Sequence, residues 1–170
     1  WLERQLFERL GAWSSGPGTA SARLHLADAS RRHGWHAQVW FDRLPELSVI
    51  DAEALVVAPD DRLVELFERL DGVPSSDDDD AAVVRLDGYG RVLLPRMIVA
   101  YRSTLDRLGV AADASLARWS RIVLADDLDE WERGESVLQG AVRSADRIEA
   151  LAASRRSLDE LVLGGPLLPV

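Results

Sequence analysis

Two of the chain's three histidines, His33 and His36, stand three residues apart in the stretch SRRHGWHAQVW, Ser30 to Trp40. On a helix that spacing puts both imidazoles on one side, as a helical protein would present nitrogen ligands to a metal. Asp127 and Glu130 repeat the spacing late in the chain and add carboxylate oxygens. Imidazole and carboxylate donors suit zinc, iron or manganese, so His33, His36, Asp127 and Glu130 form one candidate metal set. A second reading needs no ion. His33, Asp127 and Tyr101 each fall in the middle of an apolar stripe, and an unpaired buried polar group costs ~1–3 kcal/mol. They are therefore expected to satisfy one another as a polar core cluster. A small-molecule pocket is a third use for the same residues.

The elements that must carry these residues are helices. Leu2, Leu6, Leu10 and Trp13 define a first helix over about 1–13, stopped by SSGPG. A second runs over about 19–44, with Thr19 as N-cap and Pro45 as its limit. Its stripe is Ala22, Leu26, Ala29, His33, Ala37, Trp40 and Leu44. A passage over 45–80 follows, with a short helix at Asp61–Leu70 whose Val64 and Phe67 should pack on the rest. The third long helix covers about 81–108 and should bend near Gly90 and Pro95. The fourth covers about 116–142, with the stripe Leu116, Val123, Leu124, Trp131, Leu138 and Ala141. Asp127 lies at the centre of that stripe, and Gly134 removes a side chain from the same face. A final helix over about 144–163 carries Ile148, Leu151, Leu158 and Leu161. The chain is thus expected to be all-α and a single domain over 1–170.

Loop lengths set the topology. Short links make the first and second helices antiparallel neighbours, and likewise the third and fourth. The long 45–80 passage can cross the whole bundle, leaving the second and third helices parallel. This helix order with its mid-chain crossover resembles the ferritin-like superfamily, over the first residue to about Val142. The resemblance implies a di-iron centre built from one Glu on each of two helices and a Glu-x-x-His motif on each of the other two. Here the second helix has Ser30-x-x-His33 and the fourth Asp127-x-x-Glu130, while Tyr101 occupies the middle of the third. Glu3 lies beside the first helix's stripe and Glu8 further round. The ligand set is incomplete. The resemblance therefore implies a degenerate centre in a non-catalytic binding or structural module, with no cofactor expected. The alternative is a divergent metal-dependent oxidase or hydroxylase using His33, Asp127 and Glu130, with iron or another divalent metal as its cofactor. A regulatory or scaffold role for the apolar C-terminal segment is a third reading.

Composition narrows the partners. The net charge of -9 argues against nucleic acid and anionic membranes, and no apolar run is long enough to span a bilayer. The absence of cysteine excludes disulfides and thiolate chemistry and suits a cytoplasmic setting. The chain starts at Trp1, so upstream sequence is expected to be missing. All 20 basic residues are arginine, which a GC-rich genome explains. Of the six tryptophans, Trp40, Trp119 and Trp131 read as core. Trp35 falls on the opposite face, which the C-terminal helix or the partner in a homodimer would cover. His25 reads as a surface pair with Asp28, GPGTAS as a turn and Asp77–Asp80 as a solvated linker.

Overall fold

Helix α1 (Leu2–Ser14) buries Leu2, Leu6, Leu10 and Trp13, and α2 (Ala20–Phe41) starts where Thr19 Oγ1 accepts from the Ala22 N–H. In this computed structural model, described over residues 1–46, 48–73, 80–109, 113–142 and 144–163, the elements are helical throughout. A short 3-10 turn at Ala52–Leu55 precedes α3 (Asp61–Asp71), which the Asp60 side chain caps through the Arg62 and Leu63 N–H groups. Then come α4 (Asp80–Gly88), a π-helical turn (Tyr89–Leu93), α5 (Leu94–Arg107), α6 (Ala114–Ala141) and α7 (Ala145–Val162). Residues 74–79 and 110–112 and the C-terminal GGPLLPV lie outside the described residues. So does most of the acidic run, and with it the readings made of these segments.

Cross-helix contacts fix the directions. Ser30 Oγ donates to the Phe7 carbonyl at 2.6 Å and Arg23 Nε to the Ser14 carbonyl, so α1 and α2 run antiparallel. Arg91 pairs with Glu135 while Gly90 lies near Leu138, so the α4–α5 segment and α6 are antiparallel as well. His33 meets Tyr89 and Trp40 meets Tyr101, so α2 and α4–α5 run parallel. The α3 segment lies between them in sequence. It buries Leu63, Leu66, Phe67 and Leu70, whereas the expected Val64 is only half-buried. Helix α7 closes over α3 and α4 with Leu151, Leu158 and Val162, and the expected Ile148 is left exposed. Arg85 of α4 is buried and reaches the end of α3, where it donates to the carbonyls of Leu70, Asp71 and Val73. Those are acceptors that a helix terminus leaves without intrahelical partners.

The bend expected near Gly90 and Pro95 is the π turn. Pro95 has no N–H for the Arg91 carbonyl, and its ring crowds that carbonyl. Widening the turn lets the Leu94 N–H reach the Tyr89 carbonyl, one residue further back than in an α-helix. That extra residue rotates everything upstream and brings Tyr89 into the core.

The largest departure from the sequence reading is α6. Its buried face is Ala117, Ser120, Val123, Asp127, Glu130, Gly134 and Leu138. Trp131, expected in the core, is 40% exposed, and Trp119 and Leu124 are half-buried. Glu130 turns inward because His25 of α2 supplies its partner; the bulky apolar residues pack along the margin. His25 moves for the same reason. It is buried and faces Glu130, not Asp28. Trp35 is 43% exposed, on the outer side as expected.

Candidate metal centre

Glu3 is the hub of a buried polar layer. It follows Leu2 and precedes Leu6 by three residues, which brings its carboxylate onto the inner side of α1. Glu3 Oε2 lies 2.6 Å from His33 Nδ1, and Glu3 Oε1 accepts from Tyr101 Oη at 2.7 Å. Tyr101 Oη in turn accepts from Trp40 Nε1 at 3.0 Å, and Tyr89 Oη meets His33 Nε2 at 2.8 Å. Burial raises both phenols well above their ordinary pKa, and the nearby carboxylates add to the effect. The two tyrosines therefore stay protonated.

His36 extends this layer toward α6. Its Nδ1 is 3.5 Å from Glu3 Oε2 and 3.8 Å from Asp127 Oδ1, while Nε2 meets Asp126 Oδ2 at 3.2 Å. Burial opposes charge on His36. The nearby Glu3 carboxylate outweighs it, with Asp127 and Asp126, and raises its pKa to about 9. Burial would push Glu3 up, but the charge and hydrogen bond of His33, with help from His36, hold it well below the usual carboxylate range. Asp127 moves the other way: burial and the charge of Glu3 push it well above the ordinary value.

Glu3, His33 and His36 offer one donor atom each, all within 4.8 Å of one another, a spacing that one ion can bridge. Asp127 borders this group. It is fully buried, and neither carboxylate oxygen has a hydrogen-bond partner among the described residues. His36 Nδ1, which faces it, has none either. The Asp126 contact occupies Nε2, which leaves Nδ1 as the nitrogen that a cation would take by displacing its proton. A bound cation would complete all three orphaned atoms at once, so the donor set and its unsatisfied edge fit a divalent metal.

The structure redistributes the residues picked out by sequence. His33, His36 and Asp127 share the layer, but Asp127 makes no hydrogen bond to His33. Tyr101 reaches Glu3 instead of joining the other two. The His33–Asp127–Tyr101 cluster is therefore corrected to Tyr89–His33–Glu3–Tyr101–Trp40, because Glu3 and Tyr89 are the groups close enough to satisfy the imidazole. Glu130 is also turned away from the metal-type group. His25 Nε2 lies 2.8 Å from its Oε1, while Arg133 and Arg32 approach Oε2 at 3.1 and 3.6 Å. Ser30 is no remnant of a ligand in space. Its hydroxyl is spent on the Phe7 carbonyl where α1 and α2 come closest; a Cβ on neighbouring Gly34 would sit 2.8 Å from the Phe7 ring. A glutamate has no room there.

Sequence reasoning set Glu3 beside the first helix's stripe without choosing it as a ligand, and it did not consider Tyr89. The three-residue step from Glu3 to Leu6 was a usable signal. Nothing in the periodicity marked Tyr89, since its position depends on the π turn. No protein-family model, curated protein or solved structure matches this chain.

Proposed function

We propose that the protein is a ferritin-like helical bundle holding one divalent metal ion, with Glu3, His33 and His36 as ligands and Asp127 as the fourth donor. The observation that carries this reading is Asp127: a fully buried carboxylate, unpartnered at both oxygens, set against an equally unpartnered imidazole nitrogen. A lone buried carboxylate costs several kcal/mol, and the nearest imidazole nitrogen, His36 Nδ1 at 3.8 Å, is too far to hydrogen-bond it. Two imidazoles with one carboxylate are the protein donors of non-haem iron oxygenases, and Glu3, His33 and His36 would supply that set. We therefore read the centre as that of a metal-dependent oxidoreductase. When bound, the ion supplies a Lewis-acidic, redox-capable site. The chain's own residues orient it: Asp126 fixes His36, Tyr89 fixes His33, and Tyr101 holds Glu3.

One observation favours a purely structural role, the closed chain from Tyr89 to Trp40, in which every link is hydrogen-bonded. Metal analysis separates the two. Protein stripped with chelator and re-equilibrated with Fe²⁺, Mn²⁺ or Zn²⁺ should take up about one equivalent, well under the two irons of a di-iron protein. Uptake should raise the melting temperature, and Asp127→Ala should abolish both effects. No uptake of any of the three ions would leave the structural network as the surviving account.

A further inference from the structure

A cavity of about 360 Å³ adjoins the centre, walled by Leu2, Trp40, Phe41, Leu55, Met97 and Leu116. Glu3 and Tyr101 form part of its lining, so the cavity reaches the metal-type group itself. Its size falls at the lower end of the ~300–1,000 Å³ typical of small-molecule sites, and such sites pair an apolar wall with a few placed polar groups. Here the placed group is Ser120 on α6. Its hydroxyl is buried at 1% residue exposure, lines the cavity, and has no hydrogen-bond partner among the described residues. Arg4 also lies on the wall, but its guanidinium is already paired with Glu53. An anionic ligand would have to compete with Glu53 for Arg4 and lie beside the Glu3 carboxylate. A cationic one would give up its hydration for aliphatic and aromatic walls.

We propose that this cavity binds an uncharged, mainly aromatic or aliphatic small molecule bearing one hydroxyl or carbonyl, with that group on Ser120 and the apolar body against Trp40 and Met97. The cavity's role as a substrate pocket rests on the metal-centre reading; the binding itself does not need the ion.

The test uses 1-naphthol and 1-naphthoate as probes of similar shape and different charge, titrated calorimetrically into the whole chain in both chelator-stripped and metal-loaded forms. Expected is saturable binding of 1-naphthol to both forms, at least tenfold tighter than 1-naphthoate. Thr104→Trp, which fills the cavity from α5, should weaken 1-naphthol tenfold or more with metal uptake unchanged. Ser120→Ala should weaken it about fivefold, the scale of one lost hydrogen bond. If Thr104→Trp does not fold, Ala37→Phe fills the same space from α2. Absence of 1-naphthol binding, equal affinity for 1-naphthoate, or unchanged affinity in the cavity-filling variant would overturn the proposal. Metal uptake without 1-naphthol binding sinks the pocket alone, and 1-naphthol binding without metal uptake sinks the metal reading alone.

Discussion

Within a single layer of the bundle, the side built on Glu3 and His33 differs from the side built on His36 and Asp127. On the first, both imidazole nitrogens and both carboxylate oxygens have partners at 2.6–2.8 Å. On the second, His36 Nδ1 and both Asp127 oxygens have no hydrogen bond among the described residues, although Asp127 is as deeply buried as anything in the core. Each side sets an imidazole against a carboxylate at nearly the same burial. What separates them is closure. A closed polar network repays its own desolvation and stabilises the fold, whereas an open one is a standing cost that a bound ligand can relieve.

The sharpest way to break this comparison is stability without metal. Glu3→Gln should destabilise the stripped protein by about 3–5 kcal/mol, the cost of removing one partner from a buried pair. Asp127→Val should do the reverse and stabilise it by about 1–3 kcal/mol, since it removes an unsatisfied buried group without orphaning another. Denaturant melts of the two variants should move in opposite directions. Parallel losses would mean that the Asp127 side is closed too.

Metal affinity gives the next largest effect. His36→Ala should weaken binding by about 10²-fold or more. Asp126→Asn should cost about tenfold, because Asp126 acts by fixing the imidazole and does not itself touch the ion. Competition against a chelator of known affinity reads both; an unaffected Asp126→Asn would show that His36 is oriented by packing alone.

Tyr89→Phe probes the closed side more gently. It leaves His33 Nε2 without its partner, at ~1–3 kcal/mol of stability, and should leave the metal stoichiometry at one. A change in stoichiometry would make Tyr89 part of the metal site.

The smallest effect lies outside the layer, at Asp28. Hydrogen bonding to Arg31, then Arg133 and the charge of Arg32, lowers its pKa to about 2, against the penalty of burial. A depressed carboxyl pKa stabilises the fold above the unfolded value near 3.8 and loses that contribution as pH falls through about 2. The melting-temperature gap between the protein and Asp28→Asn should therefore hold constant above about pH 4 and close toward pH 2. A gap that persists unchanged at pH 2 would assign the effect to packing.

Much of the scaffold was legible from residue spacing. Leu2, Leu6, Leu10 and Trp13 mark α1, and Thr19 starts α2 where its side chain caps it. The long link between α2 and α4 anticipated their parallel run. The faces were less legible where polar residues turn inward. Hydrophobic periodicity points to Trp131 and Leu124 on α6, but the helix buries Asp127 and Glu130, the latter against His25 of α2. Periodicity measures one helix's preference for oil over water and has no term for a partner elsewhere in the chain. His25 was misassigned to the surface for the same reason.

By itself, the sequence determined that the chain is helical, where its helices start and stop, and which residue types stood ready for metal chemistry: His33, His36 and Asp127. These follow from local forces, namely helical spacing, caps, breakers and loop length. Only the tertiary structure decided which of them meet. It chose Glu3 over Asp127 as the partner of His33 and moved Glu130 to His25. Through the Pro95-driven π turn it brought Tyr89 inward, and it left the Asp127 oxygens without a hydrogen bond among the described residues. Those outcomes depend on the rotation of each helix about its axis relative to its neighbours. That angle is set by the packing of all the faces together, and no single stretch of sequence contains it.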